Sequence, residues 1–268
     1  MLTILNGDCL EIMKDISANS VDLIICDLPY GVLEKQPRSE ESIKKYDRRA
    51  MTGAKNGCAW DIPIDLDAFW KEIKRIRRNE HTPTIHFCTT KFGFDLYTSN
   101  PKEFRYDLVW DKRRGVSFLS ANKMPMRSHE MIYVFSKAGA YYNRIDISGN
   151  FLGWGKKTEV NKIVPVYSSG MPNGWKDNGN DGTTRCALSI IQHGTSSKKG
   201  GHPTEKPMAL YEWLIARYCP ANGTVLDPTG GSCNSAFQAH AMGRNAIVIE
   251  KDKKFYDKAI ARKNSLAN

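Results

Sequence analysis

Several features that would steer the reading elsewhere are missing from this sequence. No run among its 268 residues approaches the roughly eighteen consecutive apolar residues of a membrane helix. The N-terminus lacks a basic segment followed by an apolar one, so no secretory signal is expected. The seven cysteines are odd in number, dispersed and without a C-x-x-C pair, which argues for free thiols in a reducing compartment. No internal repeat is present. The pattern G-x-G-x-x-G is absent, leaving a nicotinamide or flavin cofactor poorly supported, and no G-K-[ST] follows a glycine turn, which excludes a P-loop. What remains is a composition of 41% hydrophobic and 25% charged residues, ordinary for a globular chain. Lys and Arg number 39 against 29 Asp and Glu, a net charge of +10. That balance suits a polyanionic partner, nucleic acid foremost, although basic chains that bind no polyanion share it.

The first third alternates strand and helix patterns. "LTILNGDCLEIMKDI" gives a strand, a turn at Asn6-Gly7-Asp8 and a helical start, and Val21 to Cys26 is a β-branched run suited to a strand buried on both faces. Residues 67–78 carry Phe69, Ile73 and Ile76 at helical spacing, with the basic residues between them read as an exposed face. Strands are expected at 82–90, 106–112 and 130–137, the last two separated by a polar, basic connection. Residues 139–201 hold eleven of the 21 glycines and little periodicity, the mark of an irregular inserted region with Trp154, Trp175, Ile163 and Val164 as anchors. From His202 the alternation resumes: an amphipathic helix in "TEKPMALYEWLIARY", a strand–glycine turn–helix in 223–243, a strand in "NAIVIEKD" and a closing helix. This pattern predicts an α/β fold with a mostly parallel central sheet and helices on both faces.

Two strand ends carry chemistry. In "VLDPTGGSCNS" a strand ends at Asp227, Gly230-Gly231 allow a sharp turn, and Asn234 opens a helix. Some twenty residues on, the next strand ends in Glu250, the spacing at which a carboxylate meets ribose hydroxyls in doubly wound folds. A carboxylate at Asp227 would repel a pyrophosphate and welcome an ammonium or sulfonium. A plain tight turn with two packing glycines accounts for the same residues. The other strand end is "DLPYG", residues 27–31. The exocyclic amine of a nucleobase is a poor nucleophile because its lone pair is delocalised into the ring. Asp27 can accept one amine N–H and a carbonyl at Leu28 or Pro29 another, while Tyr30 can stack on a base removed from the helix. An Asx-type turn with a buried Tyr fits those residues equally well.

Taken together, the motifs resemble the S-adenosylmethionine-dependent DNA amino-methyltransferases, which methylate adenine N6 or cytosine N4. "DLPYG" resembles their catalytic D/N/S-x-P-Y/F/W block, "LDPTGGSCNS" their D-P-x-x-G-S-G cofactor block and "HPTEKP" (202–207) the segment before it, with "NGDCLEIM" and "HEMIYVFSK" as further blocks. The resemblance covers most of the chain outside the interior of 139–201. It implies a Rossmann-like methyltransferase fold with circularly permuted motif order, the beta class: a catalytic half at 1–138, a target-recognition region at 139–201 and a cofactor half at 202–268. It further implies that Asp27, Leu28, Pro29 and Tyr30 form the target-base site. Asp227, Thr229, Gly231, Ser232 and Asn234 would surround the methionine part of the cofactor and Glu250 its ribose. Asp8 and Cys9 would lie near its adenine, with Thr204, Lys206 and Pro207 completing the pocket. An acid rather than Ser at position 27 favours adenine N6, with cytosine N4 or RNA as alternative targets and a catalytically weak nucleic-acid-binding protein as an alternative class. The resemblance implies double-stranded DNA as partner, allows a homodimer and a cognate restriction endonuclease, and points to the cytoplasm of a bacterium or of a phage host. Two departures stand out. Cys233 occupies a place where the family usually has glycine, a strained choice if that position needs positive φ, and Leu28 replaces the first of two common prolines.

Other constellations are weaker. His86 and Cys88, with His81 nearby, lack a second Cys/His pair close in sequence, so no metal is expected. The segment 33–55, with seven basic residues, reads as a loop that orders over DNA phosphates, and Arg113, Arg114, Lys123 and Arg127, with the lysines of 198–201, as further phosphate contacts.

Overall fold

The computed structural model describes residues 1–30, 63–116, 118, 121–148, 184–195 and 205–266. The 33–55 loop, Gly31, Thr204, the 198–201 lysines and the anchors Trp154, Trp175, Ile163 and Val164 lie outside the described residues. The strands are β1 (Leu2–Asn6), β2 (Leu23–Cys26), β3 (Thr84–Cys88), β4 (Phe104–Val116), β5 (Arg127–Phe135), β6 (Ile147–Ser148), β7 (Thr184–Arg185), β8 (Ile190–Gln192), β9 (Thr224–Asp227) and β10 (Asn245–Glu250). Eight of them form one sheet in the order β1-β10-β9-β2-β3-β5-β4-β8. The first five in that order are mutually parallel, whereas β5 runs antiparallel to both β3 and β4. Residues 144–188 form a separate compact unit, in which β6 and β7 pair antiparallel. β8 lies within the glycine-rich block yet pairs in parallel with β4 and forms one edge of the main sheet.

The sequence of β2 explains its central place. All four of its residues are buried, and successive side chains enter opposite cores: Leu23 and Ile25 on one face, Ile24 and Cys26 on the other. Each such aliphatic side chain contributes roughly 1.5–3 kcal/mol by leaving water. The first face is covered by helices α4 (Met208–Tyr218), α5 (Asn234–Ala241) and α6 (Lys253–Asn264). The second is covered by α1 (Cys9–Ile12), α2 (Leu66–Ile76) and α3 (Thr90–Ser99).

Several expectations change. The strand expected from Val21 starts at Leu23, because the backbone of Val21 pairs instead with Ile76 and Arg78 at the end of α2. The basic residues of that helix end are tethers more than a solvated face. Arg75 reaches the carbonyls of Met13 (2.5 Å) and Ile16 (2.7 Å), Arg77 forks onto Glu103, and Arg78 onto Asp22. The two strands expected at 106–112 and 130–137 are the longer hairpin β4–β5, which runs through Arg113 with a register shift between Asp111 and Val116. The helix expected over "TEKPMALYEWLIARY" begins after Pro207, whose extended backbone (φ −69°, ψ 143°) caps it. It buries Tyr211, Arg217 and Tyr218 besides Leu210, Leu214 and Ile215, a broader face than a simple amphipathic stripe.

At the amino end of the β2–β9 pair, Asp22 Oδ2 accepts the Thr224 backbone N–H at 2.8 Å and Arg78 Nη2 at 3.1 Å. Asp22→Ala leaves that N–H without its acceptor and is expected to lower stability by about 1–3 kcal/mol, while Asp22→Asn, which keeps an acceptor oxygen, loses less. Urea-unfolding midpoints of the two variants check this, and equal midpoints for Asp22→Ala and the parent would contradict it.

Candidate active site

β9 and β2 are parallel neighbours, with Leu23 opposite Val225 and Ile24 opposite Leu226. From β9 the chain proceeds to β10 on one side, and from β2 to β3 on the other. Such a reversal opens a crevice beyond the carboxyl ends of the strands, where open α/β sheets hold ligands. The adjacent strands β1, β10, β9 and β2 each deliver an acid to this edge: Asp8 just past β1, Glu250, Asp227 and Asp27. Neighbouring strands are about 4.8 Å apart, so the glycine turn after Asp227 and the "DLPY" turn share one crevice.

The glycine turn is organised by two of these acids. Asp227 is 3% exposed; its Oδ1 accepts the Thr229 N–H at 2.9 Å and its Oδ2 the Ser235 hydroxyl. Burial pushes its carboxyl up to about 7, against the hydrogen bonds from Ser235 and Thr229 and with a further push from Asp27 and Glu250. Glu250 Oε2 accepts the Gly231 N–H at 2.6 Å and its Oε1 the Asp252 N–H at 2.7 Å; burial raises its pKa. At Gly230 a Cβ would lie 2.3 Å from Val248 Cγ2, so only glycine fits against β10. Gly231 and Cys233 both take left-handed backbone, φ 54° and 56°. The double glycine therefore does not relieve position 233, and a cysteine there costs about 1–2 kcal/mol of backbone strain. Its thiol is fully buried, and burial pushes it well above the ordinary thiol range.

Around the second turn, Asp27 takes the Tyr30 hydroxyl on Oδ1 at 2.7 Å and the Lys206 ammonium on Oδ2 at 2.5 Å. Lys206 is 4% exposed, lies 3.5 Å from Glu130 Oε2 and sits 5.1 Å above the Phe87 ring. Glu130 Oε1 takes the Lys112 ammonium in turn. Burial alone would lower the Lys206 pKa, but Asp27 and Glu130 outweigh it and raise it. For Glu130 the balance is mirrored: burial opposes ionisation, and the two lysines hold its carboxyl below the usual range. Tyr30 packs at a tilt of 32° against Phe92, with ring centroids 5.0 Å apart, and burial, with Asp27 and Glu130, lifts its phenol well above the ordinary value. Leu28 is buried in the core beneath the turn, and among the described residues no backbone N–H donates to the carbonyls of Leu28 or Pro29.

The other residues named from the sequence fall around this edge. Asp8 caps α1 through the Leu10 N–H (2.9 Å), and its hydrogen bond with Lys251 (2.9 Å) lowers its pKa, while Cys9 is buried beside it. Ser232 lies within the glycine turn and Pro207 is buried at the cap of α4. Asn234 donates to Glu205 Oε1 (2.7 Å) and to the Lys206 carbonyl (3.1 Å), while accepting from Arg262 (2.8 Å). The opening of α5 thus fixes the backbone from which Lys206 reaches Asp27. Glu130 and Lys112 were not singled out as site residues from the sequence. Their signal is a pair of opposite charges near the start of β5 and late in β4, beside apolar runs, visible only once the antiparallel pairing is known. His86 has neither ring nitrogen hydrogen-bonded among the described residues and is packed edge-on by Phe69, Trp70 and Phe135.

The edge suits S-adenosylmethionine by its own chemistry. Thr229 Oγ1 is buried with no hydrogen-bond partner among the described residues, and the surrounding acids favour a ligand with cationic and hydroxyl-bearing groups over one with phosphates. Residues 21–262 match the family model of N6/N4 DNA methylases. The chain is 25% identical to the Type II methyltransferase M.HinfI of Haemophilus influenzae over 97% of its own length and 67% of that protein. It is also 25% identical to the DNA adenine methyltransferase YhdJ of Escherichia coli K12, over 97% of this chain and 82% of the relative. Among solved structures it resembles an M1.HpyAVI–SAM complex (TM-score 0.57, 18% identity, 98% and 100% of the two chains). It likewise resembles the cytosine-N4-specific PvuII DNA methyltransferase (TM-score 0.62, 15% identity, 97% and 85%). Motifs, crevice and family match converge: the chain belongs to the N6/N4 DNA methylase family, with S-adenosylmethionine as methyl donor and a Rossmann-like methyltransferase fold.

Proposed function

We propose that the chain methylates the exocyclic N6 amine of an adenine turned out of a specific DNA sequence. The observation that carries this reading is the adjacency of two strand ends: Asp27 and Tyr30 after β2, and the glycine turn after β9. S-adenosylmethionine, when bound, supplies an electrophilic methyl on its sulfonium. The chain supplies position and field. Asp27 accepts one amine N–H, and the carbonyl of Leu28 or Pro29, held by a buried side chain and a proline ring, accepts the other. The nitrogen lone pair is thereby released toward the methyl and the growing positive charge is stabilised. Tyr30, braced on Phe92, offers a face for the base. Gly231, Glu250 and Asp227 would hold the cofactor, with Asp8, Cys9, Thr229, Ser232 and Asn234 around it. The region 139–201 would carry base readout, since its interior lies outside the segments that resemble the family's motifs. The relatives called Type II methyltransferases support a place in restriction-modification.

Incubation with duplex DNA and labelled cofactor, then digestion to nucleosides and mass spectrometry, tests the base assignment. N6-methyldeoxyadenosine is expected, and N4-methyldeoxycytidine alone would overturn it. Asp27→Ala should reduce transfer by roughly a hundredfold or more while cofactor affinity, read by calorimetry, stays within a few-fold. Retained turnover would remove Asp27 from the chemistry.

The raised Asp227 pKa predicts a pH dependence with a definite sign. Below about 7 the free protein holds Asp227 protonated, and a cationic ligand must expel that proton to gain its charge. Affinity for S-adenosylmethionine should therefore fall as pH drops through about 7 and level off above it. In Asp227→Asn that dependence should flatten; calorimetric titrations from acid to neutral pH compare the two, and parallel curves would refute the linkage.

A further inference from the structure

Lys206 is spent unusually for a lysine at a cofactor pocket. Its ammonium is almost wholly removed from water and points across the crevice to the opposite turn, where it meets Asp27 at 2.5 Å. Burying a lysine is costly unless anions and further contacts compensate. Here Asp27 and Glu130 supply the anions, the Phe87 ring a π face, and Lys112 balances the second carboxylate. The result is a neutral chain of four charges, Asp27–Lys206–Glu130–Lys112, linking the end of β2, the approach to α4, β5 and β4. At its other end Lys206 is fixed through its carbonyl by Asn234, directly after the glycine turn.

We infer that Lys206 is a positioning residue for methyl transfer: its ammonium holds Oδ2 of Asp27 and aims the carboxylate at the target amine, and Glu130 with Lys112 holds that ammonium in place. This rests on the reading of Asp27 as the acceptor of the amine. Lys206 does not serve as the base that removes the amine proton, because an ammonium clasped by two carboxylates is a donor only. The other groups facing Asp27 do not replace it. The Tyr30 hydroxyl comes from its own turn, Tyr211 from α4, Cys88 from β3 and Asp227 from β9, all neutral or negative. Among the described residues Lys206 is the cation ion-paired with Asp27. Without it nothing holds Oδ2 of Asp27, and the carboxylate is left tied only through Oδ1 to the hydroxyl of its own turn.

The test uses the full chain, S-adenosylmethionine and duplex DNA, with single-turnover rate, cofactor affinity and thermal midpoint measured for Lys206→Met, Lys206→Arg and Glu130→Gln. Lys206→Met should lower the rate by roughly a hundredfold. Its cofactor affinity should change no more than a few-fold. Lys206→Arg, which keeps a cationic donor for Asp27, should recover much of that rate. Glu130→Gln, which loosens the hold on the ammonium, should lower the rate by less than Lys206→Met. A Lys206→Met rate near that of the parent, or a Lys206→Arg rate no better than that of Lys206→Met, overturns the inference. If Lys206→Met fails to fold, a Lys206→Arg variant that keeps the thermal midpoint of the parent yet loses the rate by roughly a hundredfold does the same. Asp27→Ala separates the two levels: activity retained there sinks the reading of Asp27 itself, whereas an inactive Asp27→Ala beside an ordinary Lys206→Met sinks only the role of Lys206.

Discussion

Two short parallel strands, β2 and β9, touch along only a few residues, and the proposed chemistry depends on that contact. Because they are parallel, both turns leave the sheet at the same edge, and because they are adjacent, the turns meet about one strand spacing apart. The pairing is locked from below by Asp22, which takes the first backbone N–H of β9 while holding the arginine at the end of α2. It is sandwiched by aliphatic side chains that alternate between the two cores. A one-residue slip of β2 would exchange those faces and rotate Asp27 away from the crevice. Register, core and site are one constraint.

Charge supplies the second layer of order. Carboxylates arriving together on the edge of a sheet repel one another, and the chain answers each differently. Asp8 is paired with Lys251 at a helix start. Asp227 and Glu250 turn inward and spend their oxygens on the backbone and hydroxyl of the glycine turn, which shapes the loop and leaves Asp227 poised near neutrality. Asp27 is held by a lysine that is itself anchored beside that loop. The turn after β2 and the segment that leads into α4 are thus joined by one buried side chain as well as by the sheet. Cys233, strained yet buried without exposure, belongs to the same economy: its thiol fills the space against Gly230 that a glycine would leave empty.

Much of this could be read from the residues in order. The α/β alternation, the glycine turn with an acid before it and another some twenty residues later, and the acid-Leu-Pro-Tyr strand end are local patterns, and local patterns survive translation into sequence. Less readable were features that depend on partners remote in the chain. The arginines of α2 look like a solvated face until Glu103 and Asp22 are seen beneath them. Ile190–Gln192, set among glycines, is too short to announce itself, and becomes a strand because the edge of β4 is there to receive it.

The sequence by itself determined which turns could hold a base and a cofactor, since a strand end, a proline and a pair of glycines restrict the backbone whatever surrounds them. Only the tertiary structure decided that Lys206 belongs to Asp27, and that Glu130 and Lys112 stand behind it. An ion pair between positions 179 residues apart has no local signature: it exists because parallel pairing and the opening of α5 bring the two groups together, with the lysine almost wholly removed from water.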